Sequence, residues 1–319
     1  KLTDWIYDVH VYPKNSTTYG QVTIEKKGYT GGGTGVALEG VQFKLQKQNG
    51  ADWTDITAND SNGSTYNLTT DINGKITIAG LSQGEYRIFE DAYSNTSANK
   101  GYILDAEYHT FTVQKDGKIQ VDGNVSANAT IQVANHRPDM KKEVYNGTEW
   151  KQDAQYGVGD TVPYKITIEV PKNIDKLSTF TVTDTPTGLT DNVSSIEVKD
   201  DTTDLTKNTH YTVADNGNGF TITFTPAEMA AYAGEKLVIT YTATVSNDAV
   251  VGGKGNSNNA KLTYTNKINT HDSPAAPSTN TIEDSAVMYS FGIKVVKTAE
   301  NGTTALPGVV FDLYLSLIH

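Results

Sequence analysis

The chain has 319 residues, of which 37% are hydrophobic, and it carries a formal net charge of −11 with no cysteine. This length predicts two or three domains, and the acidic balance argues against a nucleic-acid partner. The lack of cysteine excludes disulfides, thiolate metal sites and cysteine nucleophiles. No apolar run reaches the roughly 18 residues of a membrane-spanning helix, so none is predicted.

The first part of the chain alternates apolar and polar residues in short runs, which is the pattern of half-buried β-strands. Turn-forming pairs such as Asn73-Gly74 and Asp116-Gly117 separate these runs. The predicted strands cover residues 22–26, 41–45, 75–78, 86–90, 110–113 and 130–133. Short strands joined by such turns predict an antiparallel β-sandwich.

A second block follows Pro138, because proline disfavours a continuing central strand. Its predicted strands cover residues 161–170, 180–184, 220–224, 237–245, 260–264 and 285–289, with a short helix at 226–233. A third block begins at Gly292 and repeats the opening of the first: Gly20 to Lys26 matches Gly292 to Lys297. A repeat of this kind indicates a modular rod.

The predicted fold is all-β, a tandem series of immunoglobulin-like or prealbumin-like sandwiches. Residues 1–15 are expected to be the last strand of a preceding domain, and residues 16–137 and 138–289 to be two complete domains. Residues 290–319 are expected to open a truncated further domain that does not fold on its own. Because strand patterns run into both ends, the chain is expected to be a fragment.

Each of the three blocks begins with a strand that places a lysine on its apolar face. Side chains alternate between the two faces of a strand, so Lys26 shares the inward face with Val22 and Ile24. The same alternation places Lys142 and Lys297 inward. Burial of an unpaired ammonium is costly and favours loss of its proton, and a neutral amine is a nucleophile.

Strand alternation also supplies an acid and an asparagine for two of these lysines. The predicted clusters are Lys26–Glu90–Asn135 and Lys142–Asp184–Asn258, with Asn259 as the alternative to Asn258. Apolar surroundings keep a carboxylic acid protonated, and such an acid could polarise the asparagine amide. Attack by the lysine amine would then release ammonia and leave an isopeptide bond.

The partner of Lys297 is expected to lie outside this chain. A second interpretation of all these residues stays open at this point: a lysine at a strand end commonly extends to water, and Glu and Asn commonly occupy turns.

These residue sets resemble the isopeptide-forming domains of Gram-positive surface proteins. The first block resembles a CnaB-type domain, and its Gly84-Glu85-Tyr86-Arg87-Ile88-Phe89-Glu90 strand resembles the pilin E-box, whose glutamate assists the bond. The E-box normally continues through Ala-Pro to Gly-Tyr, but here Gly101-Tyr102 comes later, so an expanded loop is expected after Glu90. The second block resembles a CnaA-type domain, in which an aspartate assists, and this implies that role for Asp184.

The N-terminal segment from Trp5 to Asn15, which contains Tyr12-Pro13-Lys14, closely resembles the pilin motif of sortase-assembled backbone pilins. The resemblance implies that Lys14 is the amine that a class C sortase joins to the preceding, identical subunit. It implies a structural protein in an extracellular, cell wall-anchored pilus, with ancillary pilins and host surface ligands as further candidate partners. It implies no cofactor, no metal and no enzymatic activity beyond single-turnover bond formation on itself.

Two other functions are compatible with the same domains. An ancillary pilin or collagen-binding-like adhesin would share them, but it should carry an inserted binding domain and has no need of the Lys14 motif. A non-catalytic module of a secreted enzyme should be joined to a catalytic domain, which these residues lack.

Overall fold

A computed structural model describes residues 17–93, 101–200, 203–268, 278–292, 295–300 and 302–311. Lys14 and the rest of the N-terminal motif lie outside the described residues. The regular secondary structure of the described part consists of β-strands apart from three short 3-10 turns, which confirms the predicted all-β fold. No helix in this part is long and apolar enough to cross a membrane.

The first sandwich contains strands β1 to β10. Their bounds are Gly20–Thr30, Val36–Ala37, Val41–Asn49, Asp52–Asp55, Lys75–Leu81, Gly84–Tyr93, His109–Val113, Ile119–Val121, Asn124–Ser126 and Ala129–Arg137. One sheet has β1 at its centre, with β10 on one edge and both β2 and β5 on the other. The facing sheet has the order β4-β3-β6-β7-β8-β9.

The first and last strands of this sandwich, β1 and β10, lie side by side in parallel. The sequence predicted an antiparallel sandwich and did not anticipate this pair. Alternation within β1 nevertheless follows the prediction: Val22, Ile24 and Lys26 are buried, because every second side chain points toward the facing sheet.

The second sandwich contains strands β11 to β21. Their bounds are Asp139–Tyr145, Trp150–Lys151, Asp153–Gln155, Thr161–Glu169, Phe180–Pro186, Leu189–Lys199, Tyr211–Asp215, Phe220–Phe224, Lys236–Val245, Asn256–Lys267 and Ser278–Tyr289. One sheet has the order β12-β11-β14-β19-β16, and the facing sheet has the order β13-β21-β20-β15-β18-β17. The helix predicted at residues 226–233 forms two short 3-10 turns, Pro226–Glu228 and Ala230–Tyr232.

The two sandwiches meet at Pro138 and share a segment, residues 101–105, that the first sandwich extends toward the second. Tyr102 packs in the first hydrophobic core, whereas Ile103 and Leu104 pack in the second. The Tyr264 hydroxyl, in the second sandwich, donates a hydrogen bond to the Gly101 carbonyl over 2.6 Å. The segment therefore ties the two cores together.

The opening strand predicted for the third block is not formed in the described residues 295–300 and 302–311. Their pairing consists of an isolated bridge between Thr298 and Ala305. The prediction that Lys297 faces inward is wrong for this structure, because its side chain is exposed. A lone strand has no facing sheet to cover it, so alternation alone cannot bury one of its faces.

Removing the Leu104 side chain should weaken the second sandwich, although residue 104 belongs to the chain before Pro138. Leu104 is 1% exposed within the second core, so Leu104→Ala should lower the free energy of unfolding by about 2–5 kcal/mol. Leu306→Ala is the matched control, because Leu306 is 41% exposed. Denaturant unfolding of both variants measures the difference, and equal effects would show that Leu104 does not belong to that core.

Candidate functional site

The first candidate site lies between the two sheets of the first sandwich. Lys26 is on β1, Asn135 is on the neighbouring strand β10, and Glu90 is on β6 in the facing sheet. Strand alternation turns all three side chains into the interior, where each residue is at most 1% exposed. The three residues that the sequence grouped are therefore brought together.

Hydrogen bonds join these three side chains in a closed cycle. Lys26 Nζ donates to Asn135 Oδ1 over 2.6 Å and to Glu90 Oε2 over 2.8 Å. Asn135 Nδ2 donates to Glu90 Oε1 over 2.8 Å. The backbone N–H of Asp105 donates to Glu90 Oε2 over 3.1 Å, so both carboxyl oxygens of Glu90 have partners.

The first site is dry, and this changes the chemistry of its acid. Burial raises the pKa of Glu90 despite the opposing effect of Lys26, because a low-dielectric interior disfavours a carboxylate. Phe43 lies below the amine, with its ring centre 6.0 Å from Lys26 Nζ. Gly28 leaves room for Tyr102, since a Cβ atom there would come within 2.6 Å of the Tyr102 ring. Tyr102 thus packs against β1 two residues from Lys26.

The second candidate site joins the two sheets of the second sandwich. Lys142 is on β11 in one sheet, whereas Asp184 and Asn258 are on the neighbouring strands β15 and β20 of the other. A Lys142–Asn258 bond would therefore connect the first strand with the penultimate strand. The last strand, β21, follows β20 in the chain and lies between β20 and β13 in the sheet.

Lys142 is fully buried and donates hydrogen bonds to three side chains. Its Nζ atom donates to Asp184 Oδ2, to Asn258 Oδ1 over 2.8 Å and to the Tyr241 hydroxyl oxygen over 2.8 Å. Asn258 is fully buried, whereas Asn259 is half-buried on the opposite face of β20. The structure therefore places Asn258, and not Asn259, beside the Lys142 amine.

Burial acts on the amine of the second site as well. It lowers the pKa of Lys142, although the negative charge of Asp184 opposes the shift. A lysine with a lowered pKa is more readily deprotonated, and a neutral amine beside an amide carbonyl is poised for nucleophilic attack.

Two residues of the second site were missed by sequence reasoning. Tyr241, on β19, accepts hydrogen bonds from Lys142 Nζ and, over 3.1 Å, from Asn258 Nδ2. Asp191, on β16, is 5% exposed, and neither of its carboxyl oxygens has a hydrogen-bond partner among the described residues. Tyr241 follows the alternation of a predicted strand, so its burial could have been inferred, whereas β16 was not predicted at all.

No group of three or more His, Asp and Glu residues in the described part of the chain could hold a metal ion.

Two family models match the two sandwiches. Residues 20–127 match the model described as SpaA, prealbumin-like fold domain, and residues 158–268 match Gram-positive pilin backbone subunit 2, Cna-B-like domain. The second description is Cna-B-like, where the sequence suggested a CnaA-type domain. The fold and the two matches define a chain of tandem β-sandwich domains, the second of which matches a domain of Gram-positive pilin backbone subunits. The chain is therefore similar to the backbone pilins of Gram-positive bacteria.

One similar protein is a streptococcal surface protein. The trypsin-resistant surface T6 protein of Streptococcus pyogenes serotype M6 is 26% identical over 198 residues, which cover 56% of this chain and 36% of that protein. This chain thus spans about a third of the length of that relative.

Two solved structures share the fold. The major pilin subunit BcpA of Bacillus cereus is 23% identical, with a TM-score of 0.52 over 84% of this chain and 68% of that one. The T6 backbone pilin of serotype M6 Streptococcus pyogenes is 20% identical, with a TM-score of 0.54 over 86% of this chain and 65% of that one. At these identities the likeness concerns the tandem sandwich architecture.

The hydroxyl of Tyr241 should contribute to stability, whereas that of Tyr164 should not. Both rings are buried and stacked on each other, with centroids 5.6 Å apart. Tyr241→Phe leaves Lys142 and Asn258 each short of a partner and should lower the free energy of unfolding by about 1–3 kcal/mol. Tyr164→Phe is the control, because the Tyr164 hydroxyl has no hydrogen-bond partner among the described residues. Thermal or denaturant unfolding measures both, and an equal loss would contradict the assigned role of Tyr241.

Proposed function

We propose that this chain is a structural backbone subunit of a covalently polymerised, cell wall-anchored pilus, stabilised by isopeptide bonds from Lys26 to Asn135 and from Lys142 to Asn258. One observation carries the proposal: two separate sandwiches each bury a lysine Nζ atom within 2.8 Å of an asparagine Oδ1 atom and beside a carboxyl group. Residues 16–137 and 138–289 are the proposed domains.

The proposed reaction needs no other reagent. The lysine gives a proton to Glu90 or Asp184, and the neutral Nζ atom attacks Cγ of the asparagine. A carbon–nitrogen bond forms and the bond from Cγ to Nδ2 breaks. The departing nitrogen takes one proton through the acid and leaves as ammonia, while the second proton that the amine loses stays on the acid. Burial favours the first step, because two neutral groups are less costly in a dry interior than two ions.

The proposed bonds change how the subunit carries tension. With both bonds formed, tension passes from β1 to β10 through Lys26 and Asn135, and from β11 to β20 through Lys142 and Asn258. Residues 27–134 and 143–257 then lie outside the path of the force. Forced unfolding requires strands to separate, and the covalent bonds hold them together.

Polymerisation is assigned to Lys14. The support is the resemblance of the Tyr12-Pro13-Lys14 segment to the pilin motif, together with the similarity of the chain to backbone pilins. A class C sortase would join the Lys14 amine to an identical subunit outside the cell, and ancillary pilins or host ligands would be secondary partners. The match to a backbone-subunit model favours this role over that of an ancillary pilin or adhesin.

Intact mass spectrometry under denaturing conditions tests the bonds. The purified chain should be lighter than its sequence mass by two ammonia molecules, and Lys26→Ala or Lys142→Ala should each abolish one of these losses. Each bond converts an ammonium into an amide, so the formal charge of −11 should become one unit more negative per bond. Lys44→Ala, at a partly exposed lysine, is the control and should keep both losses. An unmodified mass would rule out the proposed cross-links.

Sortase-dependent coupling tests Lys14. The chain is incubated with a pilin-type class C sortase and a peptide carrying that enzyme's sorting motif, and the adduct is mapped by tandem mass spectrometry. We expect the peptide on Lys14 and its loss in Lys14→Ala. Lys1→Ala, which removes another lysine near the same end, should couple normally. Coupling that survives Lys14→Ala unchanged would contradict the assignment.

A further inference from the structure

Asp191 is a buried acid beside the second site, and it has no role in the proposed reaction of Lys142, Asp184 and Asn258. It is 5% exposed, and both of its carboxyl oxygens lack a hydrogen-bond partner among the described residues. Leaving a buried polar group unpaired is destabilising, and more so when the group is charged. A buried carboxylate in this state would be strongly destabilising, so its protonation and its neighbours need an explanation.

The neighbour that resolves the problem is Asp184. Asp184 Oδ2 accepts a hydrogen bond from Lys142 Nζ, whereas Asp184 Oδ1 is buried without a partner among the described residues. Asp191 lies close enough to Asp184 for the negative charge of Asp184 to raise the pKa of Asp191. One proton held between the two carboxyl groups would satisfy the open oxygen of Asp184, because a protonated carboxyl group is a hydrogen-bond donor.

The charged and titratable groups around Asp191 favour such a proton. Burial raises the pKa of Asp191 to about 9, and the adjacent charge of Asp184 acts in the same direction. Lys142 opposes the shift only in part. Tyr164 and Tyr241 stay neutral, since burial raises the pKa of each. Two close carboxyl groups that share one proton are a known device of acid–base sites.

We propose that Asp191 completes the Lys142–Asn258 site as the second member of a carboxyl pair with Asp184, and that this pair, not Asp184 alone, moves the protons during bond formation. The inference rests on the proposed isopeptide function. Asp191 acts through Asp184 and is a positioning, proton-sharing residue.

The proton balance of the pair is simple. The pair starts with one proton, located on Asp191 and directed at Asp184 Oδ1. Asp184 Oδ2 takes a second proton from Lys142, and the neutral amine attacks Cγ of Asn258. As the bond from Cγ to Nδ2 breaks, the pair passes one proton to the leaving nitrogen and takes the surplus proton of the former amine. The pair then gives this proton to the released ammonia, which departs as ammonium, so the pair ends with the one proton with which it began.

The first site shows why this second acid is specific to the second sandwich. Glu90 has partners on both oxygens, since Lys26 and the Asp105 N–H donate to Oε2 and Asn135 donates to Oε1. A single glutamate is thus fully satisfied there. Asp184 has an oxygen left over, and Asp191 is the acid placed beside it.

The test is Asp191→Asn in the whole chain, with the Lys26–Asn135 bond of the same molecule as the internal reference. The substituted side chain keeps its size and a neutral N–H donor but has no acidic proton. Newly translated chain is sampled over time, and each bond is quantified by mass spectrometry of peptides. We expect the Lys142–Asn258 bond to form about a hundredfold more slowly, at the lower end of what a proton-transferring group contributes, while the first bond forms normally.

The pH profile separates proton transfer from packing. In the unsubstituted chain the second bond should form more slowly as the pH rises through about 9, because Asp191 then loses its proton. Asp191→Asn should lack this decline. Circular dichroism establishes that the variant is folded, and Asp191→Ala, which leaves a smaller side chain, should be at least as slow. Asp215→Asn, at an exposed aspartate, should behave like the unsubstituted chain.

The outcomes distinguish this inference from the proposed function. Normal rates in Asp191→Asn, or slow rates with an unchanged pH profile, would overturn the role of Asp191 and leave the isopeptide proposal standing. Absence of the Lys142–Asn258 bond from the unsubstituted chain would overturn both.

Discussion

The structure depends on the burial of a lysine amine in the core of each sandwich. An ammonium group in a dry interior is tolerated only with close partners, and here a carboxyl group and an amide oxygen supply them. This constraint explains why the acid, the amide and the aromatic cover converge on one point of each domain. In the first domain it also draws in the backbone of Asp105, and in the second the hydroxyl of Tyr241.

Strand alternation was sufficient to group the lysine, the acid and the asparagine of each site. Lys26, Glu90 and Asn135 each lie in a regular strand, and the apolar residues two positions away show which face points inward. The alternation of side chains along each strand was therefore enough to predict their burial. Asp191 escaped the same rule because β16 is irregular, with a register shift between Asn192 and Glu197. The hydrogen bond from Lys142 to Tyr241 spans 99 positions of sequence, and no local pattern reports which buried tyrosine will meet which lysine.

In the third block, strand alternation predicted a buried lysine that the structure does not have. Its sequence repeats the opening of the first block, yet Lys297 is exposed and unpaired with any strand in the described residues. Alternation states which face of a strand is apolar, but burial also needs a partner sheet. The expanded loop after Glu90 was anticipated as a departure from the family pattern, whereas its use as a tie between two cores required the structure, because Leu104 packs against residues beyond Pro138.

The segment at residues 101–105 has a consequence for cleavage of the chain. With both proposed bonds formed, residues 27–134 and 143–257 each lie inside a covalent ring, so one cut within a ring would leave the polypeptide in one piece. Residues 136–141 lie between the rings, where a single cut would separate them. The start of this stretch is covered: the Ile103 N–H donates to the His136 carbonyl over 2.9 Å, and the Arg137 guanidinium lies 4.8 Å from the centre of the Tyr102 ring. The segment at residues 101–105 should therefore hinder proteases at His136 and Arg137, which ring closure cannot protect.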